Sequence, residues 1–290
     1  MPVRVVLLTK PYPLADVLEQ RIADTGCLVG VMHETPPSGW HGLKREARRL
    51  VKRSGVVRAL DVVAYHLYQR LFRTAELRRC IAAIAPPPAA RSPAEGVPRG
   101  WFPTLNAPDA HAAIRALAPD LLIVHGTGIL KPDTFGLAPL AVNLHCGVLP
   151  EYRGHDSTFW AMHAGDFTRV GASLHVIDAG VDTGRLIAVA CVPCSPRDSD
   201  LQAWTSAFAV GVDLAVELVE RLRDGLPVKL QPPTDQHGKH HGRKGLTDYV
   251  AFAWRRRRAA SRRLREPSSS YAGRRVAGPA PRRARHSTPG

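Results

Sequence analysis

The chemistry of this chain centres on an amide, an imidazole and a carboxylate. Asn143 and His145 lie in the run Ala141-Val-Asn-Leu-His-Cys-Gly-Val-Leu-Pro-Glu-Tyr-Arg-Gly154, and Asp182 lies in His175-Val-Ile-Asp-Ala-Gly-Val-Asp-Thr-Gly184. Asn143 and His145 occupy alternate positions of a predicted strand end, so their side chains face the same way. The turn that follows can carry Asp182 up to the histidine. An amide NH2 hydrogen-bonds a carbonyl oxygen as it becomes an oxyanion. A protonated imidazole does the same and can hand a proton to a leaving group. A neighbouring carboxylate raises the imidazole pKa and can take a proton from an attacking amine through water. The set suits acyl transfer to an amine, with no activated serine or cysteine required.

Parallel strands and helices are predicted to position these groups. Val3–Thr9 reads as a buried strand, Leu14–Thr25 as a helix and Cys27–His33 as a second strand, which makes a parallel βαβ unit. After an inserted segment the pattern resumes with a helix at Ala107–Leu117 and strands at Leu121–Val124, Leu140–Leu144, Ala172–Ile177 and Arg185–Val192, the last one antiparallel. Leu201–Leu222 is a long amphipathic helix. Ligands bind beyond the carboxyl ends of strands in such sheets. His125–Gly128, Asn143–His145 and the Asp178–Gly184 turn are all expected at such ends.

The expected architecture is an α/β domain over residues 1–228, an open, mostly parallel twisted sheet flanked by helices. Residues 43–85 form an insertion of two helices broken at Gly55, and Pro86–Pro98 an irregular connection. Residues 229–254 read as a linker or short appendage, and 255–290 as a disordered basic tail. That tail has twelve arginines against one acid, Glu266, a net of +11 out of the chain's +15. The rest of the chain is therefore near neutral, and the basic character resides in the tail. The tail and the basic face of the insertion (Lys44, Arg45, Arg48, Arg49, Lys52, Arg53) suit nonspecific contact with an anionic surface or a nucleic acid. No secretory signal or membrane span is legible, and five scattered cysteines indicate a reduced chain. A cytoplasmic protein, peripheral to a membrane at most, is expected. Cys191-Val-Pro-Cys194 lacks the second pair that a zinc site needs, and His237, His240 and His241 lie in a polar stretch without a scaffold, so no metal is implied.

The segment resembles the 10-formyl-tetrahydrofolate-dependent formyltransferases, the superfamily of the glycinamide ribonucleotide, methionyl-tRNA and amino-sugar enzymes. The resemblance rests on Asn143-Leu-His145, Leu149-Pro150, Tyr152-Arg-Gly154, Trp160-Ala161, Gly171, His175 and Val181-Asp-Thr-Gly184, within about residues 119–200. It implies a formyltransferase-like variant of the Rossmann fold and 10-formyl-tetrahydrofolate as cosubstrate. It also implies catalytic roles for Asn143, His145 and Asp182, with His175 supporting them. Gly128, Ile129, Leu130 and the loop Asp178, Ala179, Gly180 and Val181 would line the pterin pocket. Leu149, Pro150, Tyr152, Arg153, Gly154 and Lys10 would face the acceptor. Cys146-Gly147 departs from the family's usual pair after the histidine.

The acceptor is expected to be a small-molecule amine, nucleotide-linked, with an amino-sugar nucleotide favoured by the resemblance. The first strand is followed by Thr9-Lys-Pro-Tyr-Pro13 instead of a glycine-rich phosphate cradle, and its two prolines remove two backbone donors, which argues against glycinamide ribonucleotide. Residues 226–290 lack the evenly spaced strands of a tRNA-binding barrel, which argues against methionyl-tRNA. The competing reading from another class is an inactive formyltransferase fold that binds through its tail.

Overall fold

The computed structural model describes residues 3–35, 39–85, 96–232 and 238–263. Most of the expected connection at 86–98, His237 and the tail beyond 263 lie outside them.

Seven strands make one sheet. In chain order the elements are β1 (Val5–Thr9), α1 (Pro13–Ala23), β2 (Leu28–Glu34), the inserted helices α2 (Gly39–Ser54), α3 (Val56–Phe72) and α4 (Thr74–Ile84), β3 (Arg99–Phe102), α5 (Pro108–Ala116), β4 (Leu121–His125), the single turn α6 (Pro132–Phe135) and β5 (Leu140–His145). The chain continues with β6 (Arg153–Gly154), α7 (Ser157–Ala164), β7 (Gly171–Val176), β8 (Leu186–Cys191), α8 (Asp200–Arg223), β9 (His240–His241) and α9 (Leu246–Arg263). The large sheet has the order β3-β2-β1-β4-β5-β7-β8. The pairs from β3 to β5 are parallel, and β5–β7 and β7–β8 are antiparallel. This is the mostly parallel, helix-flanked sheet expected from the sequence.

Strand β1 shows why the central run reads as apolar throughout. Every residue from Val5 to Thr9 is fully buried. Alternation sends Val5 and Leu7 to one face, against Leu14, Leu18 and Ile22 of α1 and Phe208, Val212 and Val219 of α8. It sends Val6 and Leu8 to the other face, with Ile114 of α5, Leu105 and Leu122. Each such side chain contributes about 1.5–3 kcal/mol of burial. Helix α8 is fixed at its start by a reciprocal cap between Ser199 and Gln202. At Gly211 it comes so close to the sheet that a Cβ would lie 2.9 Å from Leu144 and 3.0 Å from Ala172.

Three findings revise the expected organisation. The insertion holds three helices, because a second break falls at Arg73, whose side chain turns inward to an ion pair with Asp200 at 2.7 Å. Residues 229–254 do more than link. Strand β9 pairs in parallel with β6, Arg153 opposite His240 and Gly154 opposite His241, and α9 packs on α3. Helix α9 also continues through Arg263, so the first nine residues of the expected tail are helical.

Candidate active site

Strands β5 and β7 bring the polar groups together. The register sets Asn143 opposite His175 and His145 opposite Ser173. Cross-strand neighbours share a face, and Asn143 Nδ2 lies 3.1 Å from His175 Nε2. His175 Nδ1 lies 2.9 Å from the carbonyl of Val176. With Nδ1–H donating to that carbonyl, Nε2 accepts from the Asn143 amide and fixes which way the amide points.

The Asp178–Gly184 turn is not at a carboxyl end shared with the parallel strands. Strand β7 runs against β5 and ends with Val176 beside Val142, toward the amino end of β5. The turn must therefore fold back over the sheet face. It does so with Asp182 in the left-handed region (φ 52°), which aspartate tolerates better than branched residues. At Gly184 a Cβ would lie 1.7 Å from the Val176 carbonyl, so only glycine fits. Asp182 then reaches the loop that follows β5. Its Oδ2 accepts from the Gly154 N–H at 2.8 Å and lies 3.7 Å from His145 Nδ1, and its Oδ1 lies 3.7 Å from His175 Nε2. Asn143 Nδ2 is 3.5 Å from that Oδ1. Asn143, His145, Asp182 and His175 form one cluster, as the spacing anticipates.

The ionisation of this cluster differs in one respect from the sequence expectation. Burial is the largest influence on His145 and pushes its pKa down, outweighing Asp182 and the Tyr152 carbonyl, which push it up. The histidine is thus neutral in the resting site. Its Nε2 is 3.0 Å from the Tyr152 carbonyl, which fits an Nε2–H tautomer and leaves the Nδ1 lone pair toward Asp182. At Asp182 burial again acts most strongly and favours the neutral acid. The proximity of His175 and His145 and the Gly154 N–H together reverse this and hold the carboxyl well below its ordinary range.

The loop between β5 and α7 carries most of the residues expected at the acceptor, and the structure shows them held by neighbouring elements. Leu149 is buried, and its N–H donates to Ser173 Oγ at 3.0 Å. The Pro150 carbonyl accepts from Gly238 at 2.8 Å. The Arg153 guanidinium donates to the Val181 carbonyl at 2.7 Å, tying this loop to the Asp182 turn. Tyr152 donates its hydroxyl to Asp166 at 3.2 Å and stacks on His241, which in turn stacks on Trp160. Gly147 sits at a tight point, where a Cβ would come 2.5 Å from Ser157 and 2.6 Å from His145 Nε2. The unusual glycine after Cys146 is thus explained by the lack of room beside the imidazole.

Lys10 and Gly128 meet through a residue that sequence reasoning passed over. The Glu34 carboxylate is buried at the end of β2, accepts the Gly128 N–H at 2.6 Å and stands 3.6 Å from Lys10 Nζ. Ile129 is left 68 % exposed beside buried Leu130, and Asp178, Ala179 and Gly180 form an exposed edge. Asp178 Oδ1 accepts from the Gly180 N–H and the Thr183 hydroxyl, which shapes that edge.

A second missed feature holds the loop from below. Lys244, 7 % exposed, donates to Asp200, 1 % exposed, at 2.7 Å, and Tyr65 and Arg73 complete the cluster. Burial favours the neutral amine of Lys244, but Asp200 and Asp156 outweigh it and keep the lysine charged. The Lys244 N–H caps Asp156 at 3.0 Å, the His155 N–H donates to His241, and Trp160 donates to the Gly242 carbonyl at 2.9 Å. Lys244, Asp200, Asp156 and Arg73 read as ordinary polar surface in the sequence, and only the fold brings them together. Cys191 and Cys194 are free thiols.

Residues 85–209 match the formyl transferase family. A methionyl-tRNA formyltransferase of Koribacter versatilis is 35% identical over 123 residues, which are 42% of this chain and 39% of that protein. One of Burkholderia orbicola is 32% identical over 183 residues, 60% of this chain and 51% of that protein. The chain therefore spans about half, or less, of the length of these relatives. A sugar N-formyltransferase from Shewanella sp FDAARGOS_354 superposes with a TM-score of 0.53 at 11% identity, over 86% of each chain. A glycinamide ribonucleotide transformylase from Symbiobacterium toebii gives 0.52 at 17% identity, over 80% of this chain and 95% of that one. These likenesses establish the fold, and the family resemblance carried by the motif is borne out.

Proposed function

We propose that this chain, with its formyl transferase domain, moves a formyl group from 10-formyl-tetrahydrofolate to a primary amine, releasing tetrahydrofolate and a formamide. The observation that carries the reading is the meeting of Asn143, His145 and Asp182 around one half-buried point. When bound, the folate supplies the activated formyl group. The uncovered Ile129 side chain and the exposed backbone of Asp178–Gly180 suit a flat heteroaromatic ring with polar edges.

The protein groups divide the work by position. The Asn143 amide, oriented by His175, presents an N–H to the formyl oxygen as negative charge builds there. Neutral His145 receives the proton that the attacking amine must lose, at the Nδ1 that faces Asp182. The carboxylate, held ionised by its loop, stabilises the imidazolium so formed, and that proton then leaves with the displaced nitrogen. The role of His145 in the resting site is therefore that of a base, revised from the protonated donor expected from the sequence.

An amino-sugar nucleotide is the favoured acceptor. A cleft of about 710 Å³ adjoins the loop at Tyr152, lined also by Trp160, His241, Lys239 and the carboxylate-paired Arg58 and Arg169. Its aromatic rings and Lys239 suit a ring-bearing, anionic molecule. The absent glycine-rich cradle and the pairing of Lys10 with Glu34 weigh against a phosphate at the end of β1. The test is transfer from 10-formyl-tetrahydrofolate to aminated nucleotide-sugars, glycinamide ribonucleotide and methionyl-tRNA. Formylation of a nucleotide-sugar that Asn143→Ala abolishes supports the reading. Preference for methionyl-tRNA would replace the acceptor, and no transfer to any primary amine would favour the inactive binding module.

A further inference from the structure

Helix α3 of the insertion is apolar on two sides. One side buries Ala59, Val62 and Tyr65 against the domain. The other carries Val56, Leu60, Val63, Leu67 and Leu71, spaced four, three, four and four residues apart, which aligns them along one stripe. All five are between 54% and 65% exposed, and Val57 and Phe72 extend the patch at its two ends. The stripe follows most of a helix about 25 Å long. A monomer in water seldom leaves so continuous an apolar surface uncovered. Helix α9, which packs on α3, exposes Val250 and Trp254 one turn apart.

The exposed charge described around the stripe is predominantly basic. Helix α2 leads into Val56 with exposed Lys44, Arg48, Arg49, Lys52 and Arg53, and Arg70, Arg78 and Arg79 are exposed at the far end. Among the described side chains of these helices, Asp61 and Asp248 share Arg58, and Glu76 pairs with Arg73. Helix α9 continues from Trp254 into Arg255–Arg258. None of the described helices is long and apolar enough to cross a bilayer.

We propose that the α3 stripe docks on the surface of an anionic lipid bilayer, with its leucines and valines at the headgroup boundary and the flanking lysines and arginines on the lipid phosphates. An apolar stripe between basic flanks satisfies both requirements of an interfacial helix. A second copy of the chain would cover the leucines but set two basic rims against each other. A nucleic acid would meet the charges and leave the leucines in water.

The experiment is flotation of the full chain with phosphatidylcholine vesicles, with and without phosphatidylglycerol, at low and high salt. Binding is expected only with phosphatidylglycerol, weakened by salt. The Leu60→Glu/Leu67→Glu double variant should bind at least about tenfold less, given the apolar area lost per leucine. Both positions are exposed, so circular dichroism and formyl transfer to a soluble amine should not change. Equal binding by the variant would assign the attraction to the arginine-rich tail and overturn the proposal. So would absence of binding to anionic vesicles, or a dimer in sedimentation that the variant dissociates.

Discussion

Gly154 donates its backbone N–H to Asp182 at 2.8 Å, while the nearest histidine nitrogen stands 3.7 Å from the same oxygen. The catalytic loop, not an imidazole, therefore orients this carboxylate, and its influence on His145 is exerted through charge. Asp182→Asn keeps an oxygen for Gly154 and removes the charge. Turnover should fall by about 10²–10⁴, the range for losing acid–base assistance, with folate affinity nearly unchanged. Asp182→Ala should also lower stability, by about 1–3 kcal/mol, because the Gly154 N–H is left unpartnered. Single-turnover kinetics and denaturant melts of the two variants separate these effects, and full turnover by Asp182→Asn would remove Asp182 from the mechanism.

Asn143 and His175 act as a unit. Asn143→Ala should lower kcat by roughly 10²–10³, the effect of removing one oxyanion donor. His175→Phe, which leaves the amide free to rotate, should cost less. The double variant should be little worse than Asn143→Ala alone. Additive losses would show that His175 contributes independently.

His125 makes the fold acid-sensitive. It ends β4, buried with its Nδ1 2.7 Å from the Leu144 carbonyl of β5, and burial lowers its pKa from 6.5 to about 4. A base whose folded pKa is depressed contributes stability that is present above 6.5 and lost as pH falls toward 4. On the order of 2 kcal/mol should disappear between pH 7 and pH 5. Urea midpoints at the two pH values measure the loss, and His125→Asn should flatten the difference.

Lys244→Met isolates the buried ion cluster. The substitution leaves Asp200 with Arg73 and Tyr65 but without one of its two cations, and breaking such a buried pair costs about 3–5 kcal/mol. Transfer should fall as well, because Lys244 anchors the strand against the catalytic loop. A melting temperature within error of the parent protein would show that the cluster is not structural.

Truncation separates the roles of the carboxyl-terminal residues. A chain ending after Arg263 should transfer formyl groups normally, since Asn143, His145, Asp182 and the residues in contact with them all precede it. A chain ending after Gln231 loses β9, Lys244 and α9, and should lose transfer while keeping the sheet, as circular dichroism would report. Loss of transfer on removing 264–290 alone would give the tail a part in catalysis.

Residues whose chemistry is local were legible from the sequence. Asn143 and His145 alternate on a strand, the glycines around Asp182 mark a turn, and the apolar run at β1 admits no other reading. The direction of β7 was not legible, because Ala172–Ile177 has the same alternation whichever way it pairs. Nor was the charge state of His145: proximity to Asp182 suggested a raised pKa, while the burial that prevails belongs to the folded site. The strap at His240–His241 is held by backbone groups, which every sequence possesses. Lys244, Asp200 and Arg73 are far apart along the chain and look like solvated charges until the fold collects them.

The parallel pairing of β6 with β9 also bears on synthesis. Gly154 and His241, 87 positions apart, are neighbours in that ladder. A nascent chain emerging from the ribosome can assemble the central strands well before residue 241 leaves the exit tunnel. Until then the loop that presents Gly154 to Asp182 lacks its partner strand. Under the proposed function, competence for transfer would therefore be acquired late in translation, and a stalled product that ends before β9 would lack the completed loop.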